Sequence, residues 1–273
     1  MPEMPEVETI ARGLRKFIIG KQITDVELSG LSLRRPVGET FAHTLRGHKV
    51  RRIHRRGKYL ILEMEPLAYC LVHLGMTGSL CYPAKATDVA AHIHARIRFS
   101  DATELHYRDP RRFGLLAAYD LSRLREIPEL KRLGLDPLAP RIDIDRFWQL
   151  LRRSSQEIKS FVLDQKKIAG VGNIYASEAL FHACIHPARR CSTLTREDAR
   201  RLLRGIRTAL QAGLRHNGTT FSDFIGADGE PGAHQNYLRV FQREGERCRR
   251  CRSRIRRLRQ GNRSTYFCPH CQR

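Results

Sequence analysis

The chain has 273 residues, 41% of them hydrophobic, which suits one large or two modest globular domains. Its 50 lysines and arginines against 28 acidic residues give a formal net charge of +22, which indicates a polyanionic partner. No apolar run is long enough to span a bilayer, and the mixed charges of the first twenty residues are not those of a signal peptide or membrane anchor, so we expect a cytoplasmic protein.

The first nine residues combine a helix start with a potential reactive group. If Met1 is removed, as a small second residue usually permits, Pro2 carries a free secondary amine that can attack an electrophilic sugar carbon. Glu3 places a carboxyl group beside this amine, where it can donate or accept a proton. Pro5, with acidic residues in the turn that follows, is also typical of an ordinary first helical turn. Both interpretations stay open on this stretch alone.

Hydrophobic periodicity predicts a helix over residues 5–19, ended by Gly20, and then a series of short strands up to about residue 120. The clearest strands are residues 58–62, 69–72, 96–99 and 104–107, and the last two are joined by a turn at Ser100 and Asp101. Several closely spaced strands favour a sandwich or barrel with the first helix packed against it.

A Pro-containing stretch precedes a helical second half. Helices are predicted near residues 144–151, 158–162 and 174–183, and a longer one over 195–215 has Thr195 as N-cap with Asp198 three residues later. We therefore predict an α+β chain with a helix-plus-strand domain at 1–133, a linker at 134–143, a helical domain at 144–236 and a small basic module at 237–273.

Two Cys-x-x-Cys pairs in the basic module are separated by sixteen residues: Cys248 with Cys251, and Cys268 with Cys271. This spacing can place four thiolates around Zn²⁺, whereas two disulfides are disfavoured in a reducing cytoplasm and four free thiols by the clustering. Four protein ligands leave no open position, so the predicted zinc is structural. The remaining cysteines are predicted to be reduced, buried thiols: Cys70, Cys81, Cys184 and Cys191.

Several basic stretches have the chemistry of phosphate contacts. Eight arginines lie between the first and last of these clustered cysteines, and Arg263 is the one we single out. The Gly-rich turn at 166–173 leads into a helix, where backbone N–H groups can seat an anion, although Asn173 can equally be a plain N-cap. Lys58 is either another phosphate contact or a catalytic amine.

Two loops, residues 73–78 and 109–114, complete the set of candidates. Separately, Met76 and Phe113 are typical of core positions and Arg111 of a surface charge. Together they fit a device that inserts apolar side chains into a base stack and places an arginine on the vacated space or opposite base.

With these residues collected, the chain resembles the formamidopyrimidine-DNA glycosylase family over nearly its whole length. The similar blocks are residues 1–9, 73–80, 109–114, 170–178 and 263–272. The resemblance implies a β-sandwich with an N-terminal helix, followed by a helix–two-turns–helix domain with a zinc finger. It also implies a monomeric enzyme, with one structural zinc and no redox cofactor, that excises oxidised purines from double-stranded DNA and cleaves abasic sites.

The resemblance also implies roles for individual residues. Pro2 would attack C1′ of the damaged nucleotide, with Glu3 as the acid/base, while Lys58 and Arg263 would serve the elimination steps or bind phosphate. The positions that would contact DNA are His73, Met76, His92, Arg111, Arg112, Phe113, Lys159 and Asn173. Residues 219–237 are similar to a loop that closes over the extruded base. The chain departs from the family pattern at Arg252, at residues 91–94 and at Ser155, to which no contact is assigned.

Two other functions compete with this one. An endonuclease VIII-like glycosylase for oxidised pyrimidines would share the nucleophile and the fold, although residues 219–237 and the two loops favour the purine enzyme. A non-catalytic zinc-ribbon DNA-binding protein would need only the basic module.

Overall fold

The chain forms two units in the computed structural model, which describes residues 2–82, 90–221, 226–227 and 229–273. Unit 1 contains Met1–Lys131 and His216–Gln235, and unit 2 contains Arg132–Arg215 and Asn236–Arg273. The sequence-based division assigned residues 216–235 to the helical domain, whereas here they group with the N-terminal unit.

Unit 1 is built from short helices and two antiparallel four-stranded sheets of the described residues, in the orders β1-β6-β7-β5 and β2-β3-β4-β8. Its helices are α1 (Met4–Phe17), α2 (Phe41–Leu45) and α3 (Pro128–Lys131). Its strands are β1 (Ile23–Leu28), β2 (Lys49–Arg56), β3 (Tyr59–Glu65), β4 (Tyr69–His73), β5 (Ser79–Cys81), β6 (Ile93–Phe99), β7 (Glu104–Arg108) and β8 (Leu115–Tyr119). Short 3₁₀ turns lie at Ala90–His92 and Leu124–Glu126.

The two sheets and α1 share one apolar core, so the predicted sandwich is confirmed. Ile97 of β6, Leu60 of β3 and Ile10 of α1 are all buried members of the same cluster. The strands of the predicted hairpin pair with Ile97 opposite Leu105, and the turn between them places Ala102 at a φ of +63°.

Unit 2 contains four helices and one two-stranded hairpin among its described residues. They are α4 (Ile144–Arg152), α5 (Ile158–Leu163), α6 (Asn173–Ala183), α7 (Arg196–Arg215), β9 (Arg256–Gln260) and β10 (Arg263–Phe267). The predicted cap of α7 is confirmed, because Thr195 Oγ1 accepts the Asp198 N–H at 3.1 Å and Asp198 Oδ2 accepts the Thr195 N–H at 3.0 Å. Of the described helices, none is both long and apolar enough to cross a bilayer.

Part of the stretch predicted as a linker is hydrogen-bonded into unit 2. Gly134 N–H donates to the Gln165 carbonyl at 2.9 Å, and Leu135 pairs with Ile168 in an isolated parallel bridge. A Cβ atom on Gly134 would lie 2.3 Å from the Lys167 carbonyl oxygen, so the close approach requires glycine.

Candidate functional site

The start of α1 buries its acidic groups. Pro2 is buried, Glu3 is 2% exposed, and Glu6 is also buried. Glu6 Oε2 accepts the Glu3 N–H at 2.8 Å, and Glu6 Oε1 accepts the Thr219 N–H at 2.8 Å. One carboxylate therefore fixes both the residue that follows Pro2 and the beginning of the 219–237 stretch.

Glu6 was not among the predicted site residues. Its sequence signal was a carboxylate three residues after another acidic residue at a helix start, which is the spacing of a capping box. Its second partner, Thr219, lies 213 positions away, and nothing in the local sequence points to it.

Lys58 lies in the two-residue turn between β2 and β3, where Gly57 has a φ of +58°. The side chain is buried, and it is close enough to His73 to influence its protonation. Burial, together with the positive charges of Arg34 and Lys58, lowers the pKa of His73 to about 3. At neutral pH, His73 is therefore an uncharged imidazole.

The tautomer of His73 follows from its surroundings. Gly75 N–H donates to His73 Nδ1 at 3.0 Å, so the ring proton must reside on Nε2. This leaves Nε2–H as a neutral hydrogen-bond donor.

The two loops predicted to act together are in contact. Met76 is 40% exposed and Phe113 is 44% exposed, although both side chains are apolar. The Arg111 guanidinium carbon lies 4.7 Å from the centre of the Phe113 ring, and Arg111 N–H donates to Thr77 Oγ1 at 3.3 Å. Arg112 is also exposed. The structure therefore presents two unpacked apolar side chains and a guanidinium on one part of unit 1.

His92 ends the 3₁₀ turn Ala90–His92 and is half-buried, and its carbonyl accepts the Asp109 N–H at 2.9 Å. The 219–237 stretch is only partly described. Its predicted recognition residues Ser222, Asp223, Phe224 and Asp228 lie outside the described residues, as does Met1.

In unit 2, two residues predicted to contact DNA are instead hydrogen-bonded to β10. Lys159 is only 1% exposed, and its ammonium donates to Thr265 Oγ1 at 2.7 Å and to the Ser264 carbonyl at 3.2 Å. Asn173 Nδ2 donates to the same Ser264 carbonyl at 3.1 Å. Both side chains therefore bind the residue next to Arg263, and their contact with DNA stays a prediction.

Asn173 is also not the N-cap of α6, because Gly172 occupies that position and Asn173 is the first helical residue. Its Oδ1 is buried without a hydrogen-bond partner among the described residues. Arg263 itself is exposed at the start of β10 and lines a cavity of about 510 Å³ together with Arg257, Arg259 and Asn262.

The four clustered cysteines converge as predicted. Their sulfur atoms all lie within 4.8 Å of one another, with Cys251 and Cys268 3.4 Å apart and Cys248 and Cys271 4.0 Å apart. A tetrahedral zinc with Zn–S bonds near 2.3 Å requires sulfur separations of about 3.8 Å. The donor set and its spacing therefore fit a Cys₄ zinc ion.

The backbone between the first two cysteines and β9 contains the departure noted in the sequence. Arg252 has a φ of +69°, a region that favours glycine, and its N–H donates to the Cys248 carbonyl at 3.0 Å. The departure therefore falls at a position with a left-handed backbone conformation.

The other four cysteines form no disulfide. Cys70 and Cys191 are buried as predicted, and burial raises the pKa of Cys70 to about 12 and that of Cys191 to about 11. Cys81 and Cys184 are only half-buried, so the prediction that all four are buried was wrong for these two. Each lies at the end of an element, Cys81 in the last position of β5 and Cys184 just after α6, where packing is less complete.

Glu178 is a second buried carboxylate that sequence reasoning missed. From the middle of α6 it accepts backbone N–H groups of Arg239, Val240 and Phe241 at 2.8–3.0 Å. Burial raises the pKa of Glu178, against the opposing effect of these three donors. It ties the segment that leads into the cysteine cluster to α6.

Three family models match this chain in order. They are the formamidopyrimidine-DNA glycosylase N-terminal domain at residues 1–116, the formamidopyrimidine-DNA glycosylase H2TH domain at 133–224, and the zinc finger found in FPG and IleRS at 245–273. Together they cover most of the sequence, and the third contains all four clustered cysteines.

Full-length relatives carry the same family name as these models. The chain is 41% identical to the formamidopyrimidine-DNA glycosylase of Pelotomaculum thermopropionicum over 274 residues, covering 100% of this chain and 99% of the relative. It is 42% identical to that of Streptomyces coelicolor over 280 residues, covering 100% and 98%.

Solved structures share the fold. The MutM (Fpg) protein of Thermus thermophilus matches with a TM-score of 0.88 and 37% identity, covering 99% of this chain and 98% of that one. Lactococcus lactis Fpg in complex with DNA containing an abasic site matches with a TM-score of 0.90 and 33% identity, covering 99% of each chain.

Proposed function

The chain belongs to the formamidopyrimidine-DNA glycosylase family, and we propose that it excises 8-oxoguanine and formamidopyrimidines from duplex DNA and then cleaves the strand at the resulting abasic site. The observation that carries this proposal is the buried start of α1, where Pro2 is buried and the carboxylate of Glu6 accepts the Glu3 N–H. Lactococcus lactis Fpg has been solved with DNA containing an abasic site, and its G226P mutant with DNA containing Fapy-dG, which supports both halves of the reaction.

The first step uses the Pro2 amine after removal of Met1. Its nitrogen attacks C1′ of the damaged nucleotide as the bond from C1′ to the base breaks, and the base leaves with a proton. Glu3, as the acid/base, assists loss of the base and protonates the ring oxygen as the sugar opens, which converts the adduct into an iminium.

The second step is elimination. The iminium withdraws electrons from C1′, so a 2′ proton is lost and the 3′ phosphate leaves. The new C2′=C3′ double bond extends this effect to C4′, so the 4′ proton is lost next and the 5′ phosphate leaves. Lys58, a buried amine in the turn between β2 and β3, would serve a proton transfer or bind the phosphate. Arg263 is exposed on the β9–β10 hairpin and can bind a phosphate bidentately.

Cys248, Cys251, Cys268 and Cys271 would hold one zinc ion, which when bound cross-links the segment that carries Arg263. Met76, Phe113 and Arg111 would fill the space left by the rotated nucleotide. Their exposed positions on a basic protein support contact with DNA, since exposed apolar side chains at a nucleic-acid surface serve as wedges.

Borohydride trapping tests the proposal. The processed chain should form a covalent adduct with an oligonucleotide containing 8-oxoguanine opposite cytosine. A matched chain with two extra residues before Pro2, which turn its nitrogen into an amide, should form none while binding the same DNA. Equal trapping by both chains would exclude the Pro2 amine as the nucleophile, and the absence of trapping by the processed chain would favour a binding protein without catalysis.

The substitution Glu3→Gln tests base excision separately from strand cleavage. It should abolish release of 8-oxoguanine while leaving cleavage of a ready-made abasic site comparatively intact, because an abasic sugar needs no base expulsion. Equal loss of both activities would contradict the role assigned to Glu3.

Oxidised pyrimidines are the second candidate substrate. A Lactococcus lactis Fpg has been solved with DNA containing an oxidised pyrimidine, so lesions of this class fit at least one relative. We expect faster single-turnover release from 8-oxoguanine opposite cytosine than from thymine glycol. The reverse order would assign the chain to the pyrimidine-directed activity.

A further inference from the structure

Asp109 is a fully buried carboxylate at the base of the two loops. Its Oδ1 accepts the Thr77 hydroxyl at 2.6 Å, and its Oδ2 accepts the Gly114 N–H at 2.8 Å and the Tyr107 hydroxyl at 3.3 Å. A buried carboxylate is tolerated only when donors surround it, and here the donors come from both loops. Thr77 also accepts the Arg111 N–H at 3.3 Å, so the hydroxyl links the loops in both directions.

The loops also touch through their backbones. A Cβ atom on Gly75 would lie 2.5 Å from the Phe113 carbonyl carbon, and Gly75 has a φ of +64°. A Cβ atom on Gly114 would lie 1.7 Å from the Tyr107 hydroxyl oxygen. These approaches leave no room for one loop to move past the other, because the contacting atoms belong to the main chain or to a buried ring.

The tips of the same loops are not packed in this way. Met76 and Phe113 are exposed, whereas Thr77 is half-buried and Asp109 entirely buried. The loops therefore combine a fixed base with projecting ends, which is the construction expected of a wedge that must enter a base stack at a set spacing.

We propose that Thr77 and Asp109 are positioning residues that fix the spacing between Met76 and the Arg111–Phe113 pair, so that these side chains enter DNA as a single wedge. This inference rests on the proposed function. We call the hydrogen bonds of Thr77 and Asp109 between the two loops the brace. Because Arg111 would face the base opposite the lesion, the brace also sets the enzyme's preference for one opposite base over another. Neither Thr77 nor Asp109 touches the reacting atoms in this role.

Thr77→Val tests the brace, because it removes the hydroxyl while keeping the shape of the side chain. We expect about a tenfold slower wedge insertion, reported by a 2-aminopurine next to the lesion, and a similar loss of preference for cytosine over adenine opposite 8-oxoguanine. Thr77→Ser should restore both. Asp109→Asn should reproduce the loss, since it replaces an acceptor with a donor facing Thr77 or Gly114.

Thr24→Val is the matched control, because Thr24 is an exposed residue of β1 whose hydroxyl donates to the Arg98 carbonyl at 3.2 Å. Rates are normalised by cleavage of a single-stranded abasic oligonucleotide, which has no opposite base and no stack to fill. Dividing by this rate corrects for any fraction of a variant that is unfolded. The inference would be overturned if Thr77→Val matched the parent chain in both the normalised rate of insertion and the base preference.

The same assay distinguishes this inference from the proposed function. Failure of the parent chain to cleave or be trapped on the single-stranded abasic oligonucleotide would refute the proposed chemistry. Normal trapping by the parent chain, with Thr77→Val indistinguishable from it on duplex DNA, would refute the brace alone.

Discussion

At the start of α1, Glu3 and Glu6 are almost completely buried and are bonded to main-chain groups, whereas on the β9–β10 hairpin Arg263 is exposed and its neighbours supply the order. In the proposed function, the two regions would therefore contribute by different means. Proton transfer and nucleophilic attack gain from exclusion of water, while phosphate contact requires an accessible guanidinium.

The two regions are also stabilised in different ways. The start of α1 is part of an apolar core that includes both sheets of unit 1. The core around the cysteine cluster is small, with Phe181, Val240 and Ile255 as its buried members besides cysteine among the described residues. An apolar cluster of that size needs another source of stability, and a metal ion is the one that the four thiolates fit.

Removal of zinc should give the largest difference between the regions. Cys268→Ala, or a strong chelator, should disorder residues 245–273, because structural zinc in small modules contributes about 10 kcal/mol or more of apparent binding energy. We expect DNA affinity to fall at least tenfold while the thermal transition of unit 1 is retained. Native mass spectrometry measures the loss of zinc, and fluorescence anisotropy measures the DNA affinity. Cys70→Ala is the control, and an undiminished affinity after loss of zinc would contradict the comparison.

Glu6→Gln should show that the first region depends on a buried carboxylate. Glutamine can accept one of the two N–H groups but turns an NH₂ toward the other, so we expect a loss of about 1–3 kcal/mol in the free energy of unfolding. Base excision should fall as well, because the residue after Pro2 loses its anchor. The exposed Glu39→Gln is the control for the change in charge. Chemical denaturation and single-turnover kinetics provide the readouts.

His73 makes stability in unit 1 depend on pH. Its folded-state pKa of about 3 lies below the unfolded value of about 6.5, so the unfolded chain binds a proton that the folded chain refuses. This contribution to stability is complete above pH 6.5 and is lost as the pH falls from there toward 3. Between pH 6 and 4, His73→Asn should reduce the slope of unfolding free energy against pH by about 1.4 kcal/mol per pH unit. The exposed His43→Asn is the control for the loss of an imidazole.

Substitutions of Lys159 and Arg263 should have the smallest effects on DNA affinity. They separate a direct phosphate contact from a structural role. Arg263→Gln should reduce the slope of log affinity against log salt by about 0.9, as expected for one lost phosphate contact. Lys159→Met should weaken binding only a few-fold and leave the slope unchanged, because its ammonium is bonded to Ser264 and Thr265. A reduced slope in Lys159→Met would restore the direct contact that the sequence suggested.

The features that sequence reasoning captured are those with local causes. Helical periodicity located α1, the Thr195–Asp198 pair located the start of α7, and the spacing of four cysteines located the metal cluster. Each of these depends on side chains a few residues apart, so the pattern is visible in a short window.

What escaped prediction are pairs that are distant in sequence. Nothing near Lys159 indicates that its partner is Thr265, and nothing near Glu6 indicates Thr219. A lysine on a helix is more often exposed than buried, so its assignment to DNA followed the ordinary expectation. Only tertiary packing reverses that expectation.

The bond between Glu6 and Thr219 also bears on how the protein is made. Because unit 1 includes His216–Gln235 as well as Met1–Lys131, its last segment leaves the ribosome roughly 100 residues after the sandwich has been translated. At about 5–20 residues per second, that interval is about 5–20 seconds. During it, the first residues of α1 lack one of their anchors, so the N-terminus is exposed to processing before its surroundings are complete.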